Sequence, residues 1–223
     1  MGILDKYKLL PGLAERQYVA LELGCGNRKR TADFIGIDLL DYECVDIVGD
    51  VYEVLRALPD SVVDEVYSSH FVEHVPDIPR LLVELARVLK KGGKLIIIVP
   101  HFSNPYFYSD MTHKTFFGLY SMNYFLKDTY FYRKVPTYQR ELNFSLKEVR
   151  LEFKSSRPFY IRHAFKKIIE VVVNLNAYTK ELYEEMFCYL LPCYEIRYEL
   201  RRIDSSLGSP SKHGKILGKE FYQ

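Results

Sequence analysis

Residues 18–41 read YVALELGCGNRKRTADFIGIDLLD: an apolar run enters Glu22-Leu23-Gly24-Cys25-Gly26, and a second apolar run reaches Asp38 soon afterwards. Two glycines so close together lack Cβ atoms, so backbone N–H groups there can approach a ligand. The third small residue of the dinucleotide fingerprint would fall at position 29, where Lys29 stands, and no Gly-Lys-Ser/Thr follows. Pyrophosphate fingerprint and phosphate loop are therefore both set aside. Asp38 offers a carboxylate to the two hydroxyls of a ribose. Asp50, closing VDIVGD, can accept from the amino group of an adenine, with Val51 against the ring. Ser68, Ser69 and His70 are small polar groups suited to an amino-acid moiety, and Glu22 can hold an ammonium. This set fits a nucleoside with a zwitterionic tail better than a pyrophosphate.

Those residues need strand ends to carry them. Short Val/Ile-rich runs at 18–23, 34–37, 45–48, 62–67 and 94–99 read as buried, parallel strands. Before the last of them, Ile78, Leu81, Leu82, Leu85, Val88 and Leu89 recur at helical spacing. Asp77 caps the start, Pro79 is tolerated in the first turn, and Lys90-Lys91-Gly92 closes the end. Alternating strands and helices predict a parallel sheet with its ligands at the carboxyl ends of the strands. Residues 101–144 are crowded with Phe and Tyr. Strand-like alternation returns at 144–156 and 193–203, with amphipathic helices expected at 162–176 and 179–191, the second stopped by Pro192.

The segments LELGCG, GIDLLD, VGDVYEVLRALPDSVVDEVYSSHFVEHVPD and LARVLKKGGKLIIIVP resemble, in order, the motifs of class I S-adenosylmethionine-dependent methyltransferases, type 11 subgroup. The resemblance covers about residues 18–102. It implies a Rossmann-like α/β fold whose seven-stranded sheet is mostly parallel with an antiparallel last strand. Helices would cover both faces, with a helical insertion before the last strand. By the same likeness Glu22, Gly24, Cys25, Gly26, Asp38, Leu39, Asp50, Val51 and Ser69 line the pocket for S-adenosylmethionine and its product S-adenosylhomocysteine. The usual long first helix must shrink to about one turn, because only eleven residues separate Gly26 from Asp38. A second, narrower resemblance rests on SSHFVEH, HFSNPYFYSDMTHKTFF and LLPCYEIRYEL. It links the chain to predicted methyltransferases of cell-surface polysaccharide synthesis.

Methyl transfer from a sulfonium is an in-line displacement in which the protein aligns the acceptor and excludes water, and an oxygen acceptor also needs a base. His113, in a polar break of the aromatic segment, is the first choice of base, His101 the second and His74 the third. His70-x-x-Glu73-His74 with the distant His113 also resembles the divalent-metal constellation of small-RNA 2′-O-methyltransferases and of ubiquinone-pathway O-methyltransferases. The RNA enzymes carry Glu where His70 stands, and Glu-His occurs here in type 11 proteins without a metal role, so no metal ligand is assigned. "SSHF" replaces the Asn/Asp-Pro-Pro-Tyr/Phe expected for methylation of DNA amino groups or protein glutamine.

The 223 residues are 48% hydrophobic and 27% charged with a formal net charge of +2, a soluble globular composition without the basic surplus of a nucleic-acid binder. Cys25, Cys44, Cys188 and Cys193 form no Cys-x-x-Cys pair, and no signal or membrane-spanning run is evident, so a cytoplasmic protein is expected. The expectation is one domain over 1–203, with its acceptor-site embellishment at about 101–191, and a flexible tail at 204–223. Its function would be O-methylation of a small molecule or of a sugar or glycan precursor. N-methylation of an amino sugar and a non-catalytic binding partner of the same fold are the alternatives, and the 162–191 helices offer a homodimer contact.

Overall fold

In the computed structural model, residues 2–126, 130–136 and 142–203 are described here; the expected tail at 204–223 lies outside them. The strands are β1 (Leu4–Asp5), β2 (Ala20–Leu23), β3 (Ile35–Asp38), β4 (Ile47–Val48), β5 (Val63–Ser69), β6 (Leu89–Pro100), β7 (Phe144–Glu152) and β8 (Glu195–Arg202). The helices are α1 (Val51–Ala57), α2 (Ile78–Val88), α3 (Tyr160–Val173) and α4 (Ala177–Met186). One sheet runs β1-β4-β3-β2-β5-β6-β8-β7, parallel from β4 through β6, with β8 antiparallel to both its neighbours.

That is the mostly parallel sheet expected, with one strand more. β1 pairs antiparallel to β4 through Leu4 and Asp5, too short a segment to leave a periodic signal. The central strands are apolar on both faces: all four residues of β2 are buried, as are Leu95, Ile96, Ile97 and Val99 of β6. Because β2 and β3 run side by side, Leu23 next to Ile37, their carboxyl ends deliver the glycine turn and Asp38 to the same edge.

Four local expectations are corrected. No helix follows the glycine turn, where the chain makes only turns and bends up to β3. There Glu22 accepts the Arg30 N–H at 2.7 Å, Lys29 pairs with Asp46 at 2.7 Å, and Arg30 stacks over Tyr67 at 4.4 Å. Three side-chain anchors therefore replace the helix. Asp77 caps α2, accepting from Arg80 N–H at 3.0 Å, but α2 ends at Val88 and not at Lys90-Lys91-Gly92. Leu89 already pairs with Val63, so sheet pairing claims the residues that helical periodicity would have kept, and Gly92 (φ +75°) lies within β6. Helix α3 starts and stops earlier than the expected 162–176. Helix α4 begins at an Asn176–Thr179 capping box and ends at Met186, well short of Pro192, where Tyr183 donates to the Leu191 carbonyl at 2.7 Å.

Candidate active site

The donor end is built on backbone. Gly24 and Gly26 both take left-handed conformations, φ +64° and +57°. A Cβ on Gly24 would sit 2.4 Å from Phe71, whereas one on Gly26 would meet nothing within 4 Å. One glycine is thus required by packing and the other opens onto free space. Asp38 braces the turn, its two oxygens accepting from Gly26 N–H at 2.8 Å and Leu40 N–H at 2.9 Å. A carboxylate has further lone pairs, so it can brace the turn and still accept from a ribose. Beside it Leu39 is exposed and Val51 buried, an apolar floor and rim for a flat base. Asp50 caps α1 through one oxygen, which accepts from Tyr52 N–H and Glu53 N–H. Among the described residues the other oxygen has no hydrogen-bond partner. Glu22 is buried, and burial raises its pKa against the pull of Arg30 N–H. Cys25 is buried too, its thiol pushed up to about 12 by burial and then by Asp38, which makes it an inert wall. Ser69 closes β5 at the same edge, where Ser68 donates to the Leu23 carbonyl. These residues fit S-adenosylmethionine: a turn of two left-handed glycines, carboxylates at three strand ends, and room above Gly26.

Directly after Ser69, His70 adopts φ +53°, an unusual conformation for a residue with a side chain. It turns the ring toward Glu195 at the start of β8, with Nε2 2.9 Å from Oε2. Its Nδ1 lies 3.6 Å from Oε1 of Glu73. The Glu195 hydrogen bond, then the nearby Glu73 carboxylate, raises the His70 pKa to about 9, so it carries a proton at neutral pH. Burial pushes the Glu195 carboxyl up, but hydrogen bonds from His70 and Lys154 outweigh it and hold the carboxyl well below the usual range.

Beneath His70 lies an incomplete cluster. Glu73 is fully buried and neither carboxylate oxygen has a hydrogen-bond partner. Single ligand atoms from Glu73, His74 and His113 lie within 4.8 Å of one another. Hydrogen bonds set the tautomers. His113 Nδ1–H donates to the Phe107 carbonyl at 2.9 Å. Thr112 Oγ1 gives its proton to Asp110 at 2.6 Å and so accepts from His74 Nδ1 at 2.9 Å. Each imidazole is left with an Nε2 lone pair, and that of His113 is 4.0 Å from Glu73 Oε1 and 3.6 Å from Asp110 Oδ2. A triangle of lone pairs this size accommodates one shared proton carrier or one cation.

His101, the other histidine named from sequence, is fully buried. Its Nδ1 is engaged by Ser103 at 2.8 Å and its Nε2 by Glu184 at 3.1 Å, so no ring nitrogen faces a substrate. The expected aromatic wall divides: Phe107 and Phe117 are core, while Tyr106, Tyr108 and Phe116 are exposed. Tyr106 borders a cleft of about 860 Å³ that begins at Ser69 and His70 and runs between β7, α3 and the start of β8. Glu195, Lys154, Arg162 and Lys166, all on this cleft, were missed. They sit in segments whose periodicity announces strand or helix and nothing else. A separate cavity of about 730 Å³, by Tyr120, Glu181 and Tyr189, touches none of the donor residues.

A sheet of this strand order with a glycine turn at its central strand defines the class I methyltransferase fold. The same fold appears in a crystal structure of a SAM-dependent methyltransferase from Archaeoglobus fulgidus (19% identity, 87% of this chain, 90% of that one, TM-score 0.53). Weaker likenesses join a phosphoethanolamine N-methyltransferase 2 of Haemonchus contortus in complex with S-adenosyl-L-methionine (13% identity, 87% and 51% coverage, TM-score 0.47) and the YcgJ protein of a Bacillus (14%, 88% and 98%, TM-score 0.46). No curated protein matches the chain in sequence. Residues 14–97, which hold the glycine turn and every acidic strand end described above, match the type 11 family described as "Methyltransferase domain". The chain has the fold of the class I methyltransferases, and its residues 14–97 are similar to the type 11 methyltransferase domain. Among the described residues, no helix is long and apolar enough to cross a membrane.

Proposed function

We propose that this enzyme O-methylates a small hydroxylated acceptor, a sugar or glycan precursor, in the 860 Å³ cleft beside Ser69 and His70. The donor lies over Gly24, Cys25 and Gly26, its ribose on Asp38, its adenine between Leu39, Val51 and Asp50, and its amino-acid tail near Glu22 and Ser69. Bound there, S-adenosylmethionine would supply an electrophilic methyl group, and Nε2 of His113 would take the proton of the acceptor hydroxyl as it is methylated. Glu73, buried between the His70 and His113 rings, then stabilises the imidazolium electrostatically. The observation that supports this reading is the lone-pair cluster of Glu73, His74 and His113, joined to the cleft-lining His70 by the 3.6 Å approach of Glu73. His74 shares the cluster as a positioning residue, whereas His101 is left out of the chemistry because both of its nitrogens are engaged. Four free cysteines support a reducing, cytoplasmic setting.

The test is methyl transfer to fractionated cell extract with mass detection of the product. His113→Ala is expected to lower turnover about 10²-fold or more, the range for removing a general base, with S-adenosylhomocysteine affinity unchanged. Unaltered turnover would remove His113 from the mechanism.

The orphaned oxygens of Glu73 also favour a second reading of the same three residues, in which Glu73, His74 and His113 hold a divalent ion. Bound there, the ion would lower the pKa of an acceptor hydroxyl. His74 and His113 already donate their Nδ1–H groups to oxygen acceptors, the outer arrangement that orients metal-ligating imidazoles. Chelator-sensitive turnover and metal in the purified protein would select this reading; insensitivity would select the base.

A further inference from the structure

The cleft that receives the acceptor is not electrically neutral, and its charge lies at the end away from the donor. Its two carboxylates are already answered. Glu195 takes His70 and Lys154, and Glu152 lies 3.2 Å from the same lysine. What remains is Arg162 and Lys166, one turn apart on α3, neither with a carboxylate within ion-pairing distance among the described residues. Arg162 is steered only by the Phe159 ring, 4.1 Å from its guanidinium carbon. The Lys166 ammonium donates to the Lys154 carbonyl at 2.9 Å. Burial, and then the neighbouring Arg162 charge, lower its pKa: a cation kept half-buried beside another cation.

Neutral donors complete the arrangement. His163 Nδ1 accepts the Ser155 N–H at 3.3 Å, so in the neutral ring the proton sits on Nε2. The Ser155 hydroxyl is buried and has no hydrogen-bond partner among the described residues. All four groups border or enter the same cleft. Such a site is destabilising while empty, through like-charge repulsion and an unsatisfied hydroxyl, and an anion relieves both. Two full cations with two further donors match the charge and the several oxygens of a phosphate; a carboxylate would leave donors unused.

We infer that the methyl acceptor carries a phosphate group, held by Arg162, Lys166, His163 and Ser155, while the hydroxyl to be methylated reaches back toward His70. This deepens the proposed reaction and rests on it. The phosphate could be a terminal monoester or part of a sugar-linked diphosphate. The two share the recognising chemistry and differ in which probe binds.

The experiment is calorimetry on the full chain saturated with S-adenosylhomocysteine, titrated with glucose, glucuronate, glucose 1-phosphate and uridine diphosphate. Either phosphate compound should bind at least tenfold more tightly than glucose and than glucuronate, the better of the two naming the source. Arg162→Gln/Lys166→Gln should abolish that tenfold advantage while leaving S-adenosylhomocysteine affinity within twofold. Phosphate compounds that bind no better than glucose, glucuronate that binds best, or a double variant that binds like wild type would each overturn the inference. If S-adenosylhomocysteine itself does not bind, the transferase reading fails separately, and phosphate binding measured without it still decides the anion site.

Discussion

Gly24 and Gly26 look alike in the sequence and do different work. Both need φ near +60°, where a side chain costs roughly 1–2 kcal/mol. Gly24 also abuts Phe71, so Gly24→Ala must displace a packed ring and is expected to destabilise the fold by about 2 kcal/mol or more. At Gly26 the added methyl meets no protein atom and points into the space assigned to the donor. Gly26→Ala should therefore fold with only the backbone penalty but lose S-adenosylhomocysteine affinity. Thermal melts paired with calorimetry separate the two; equal behaviour of the variants would contradict this division. The same contrast applies to the acids. Asp38 and Asp50 brace backbone N–H groups, whereas the Glu73 carboxylate is approached by the imidazoles of His70 and His113 at 3.6 and 4.0 Å.

Helix α2 shows how an element can be legible at one end and hidden at the other. Its cap, Asp77, is a local event of a few residues, and Ile78, Leu81, Leu82 and Leu85 present one buried face. Asp77→Ala should cost about 1 kcal/mol by the loss of a capping bond. Urea denaturation with an unchanged slope measures it, and no change in midpoint would show that the tertiary packing of α2 makes the cap redundant. The carboxyl end is decided elsewhere. Leu89 is needed by β5, so the helix yields before its periodic signal runs out. The missing helix after Gly26 has the same origin, because partners distant in sequence, Asp46 and Tyr67, hold the residues that would have wound it.

Across the molecule, His70 joins the end of β5 to the start of β8, 125 residues away, and lies against the chain leading to α2 through Glu73. Its pKa rises from an ordinary 6.5 to about 9 on account of Glu195 and then Glu73. A group whose pKa is raised by folding stabilises fully below its unfolded value and loses that contribution as pH climbs through the folded one. Stability is therefore expected to decline between about pH 6.5 and 9, and His70→Gln should flatten the decline. Denaturant midpoints across that window are the measurement, and a wild-type profile no steeper than that of the variant would refute the link.

The class of fold, the glycine turn and the acids at the strand ends could be read directly from the chain. Buried parallel strands and tight turns are local, repetitive demands that few residue types satisfy. The two-residue β1, the ends of α2 and α4, and the loss of the first helix could not, because each depends on partners far away along the chain. Among the histidines residue type was visible but availability was not: burial and two hydrogen bonds occupy His101, while single Nδ1 bonds, to the Thr112 hydroxyl and the Phe107 carbonyl, leave His74 and His113 each with an Nε2 lone pair. The acceptor cleft was wholly hidden. Arg162 and Lys166 are ordinary helix-surface residues until folding brings them beside Ser155 on a cleft whose carboxylates, Glu152 and Glu195, are taken by Lys154.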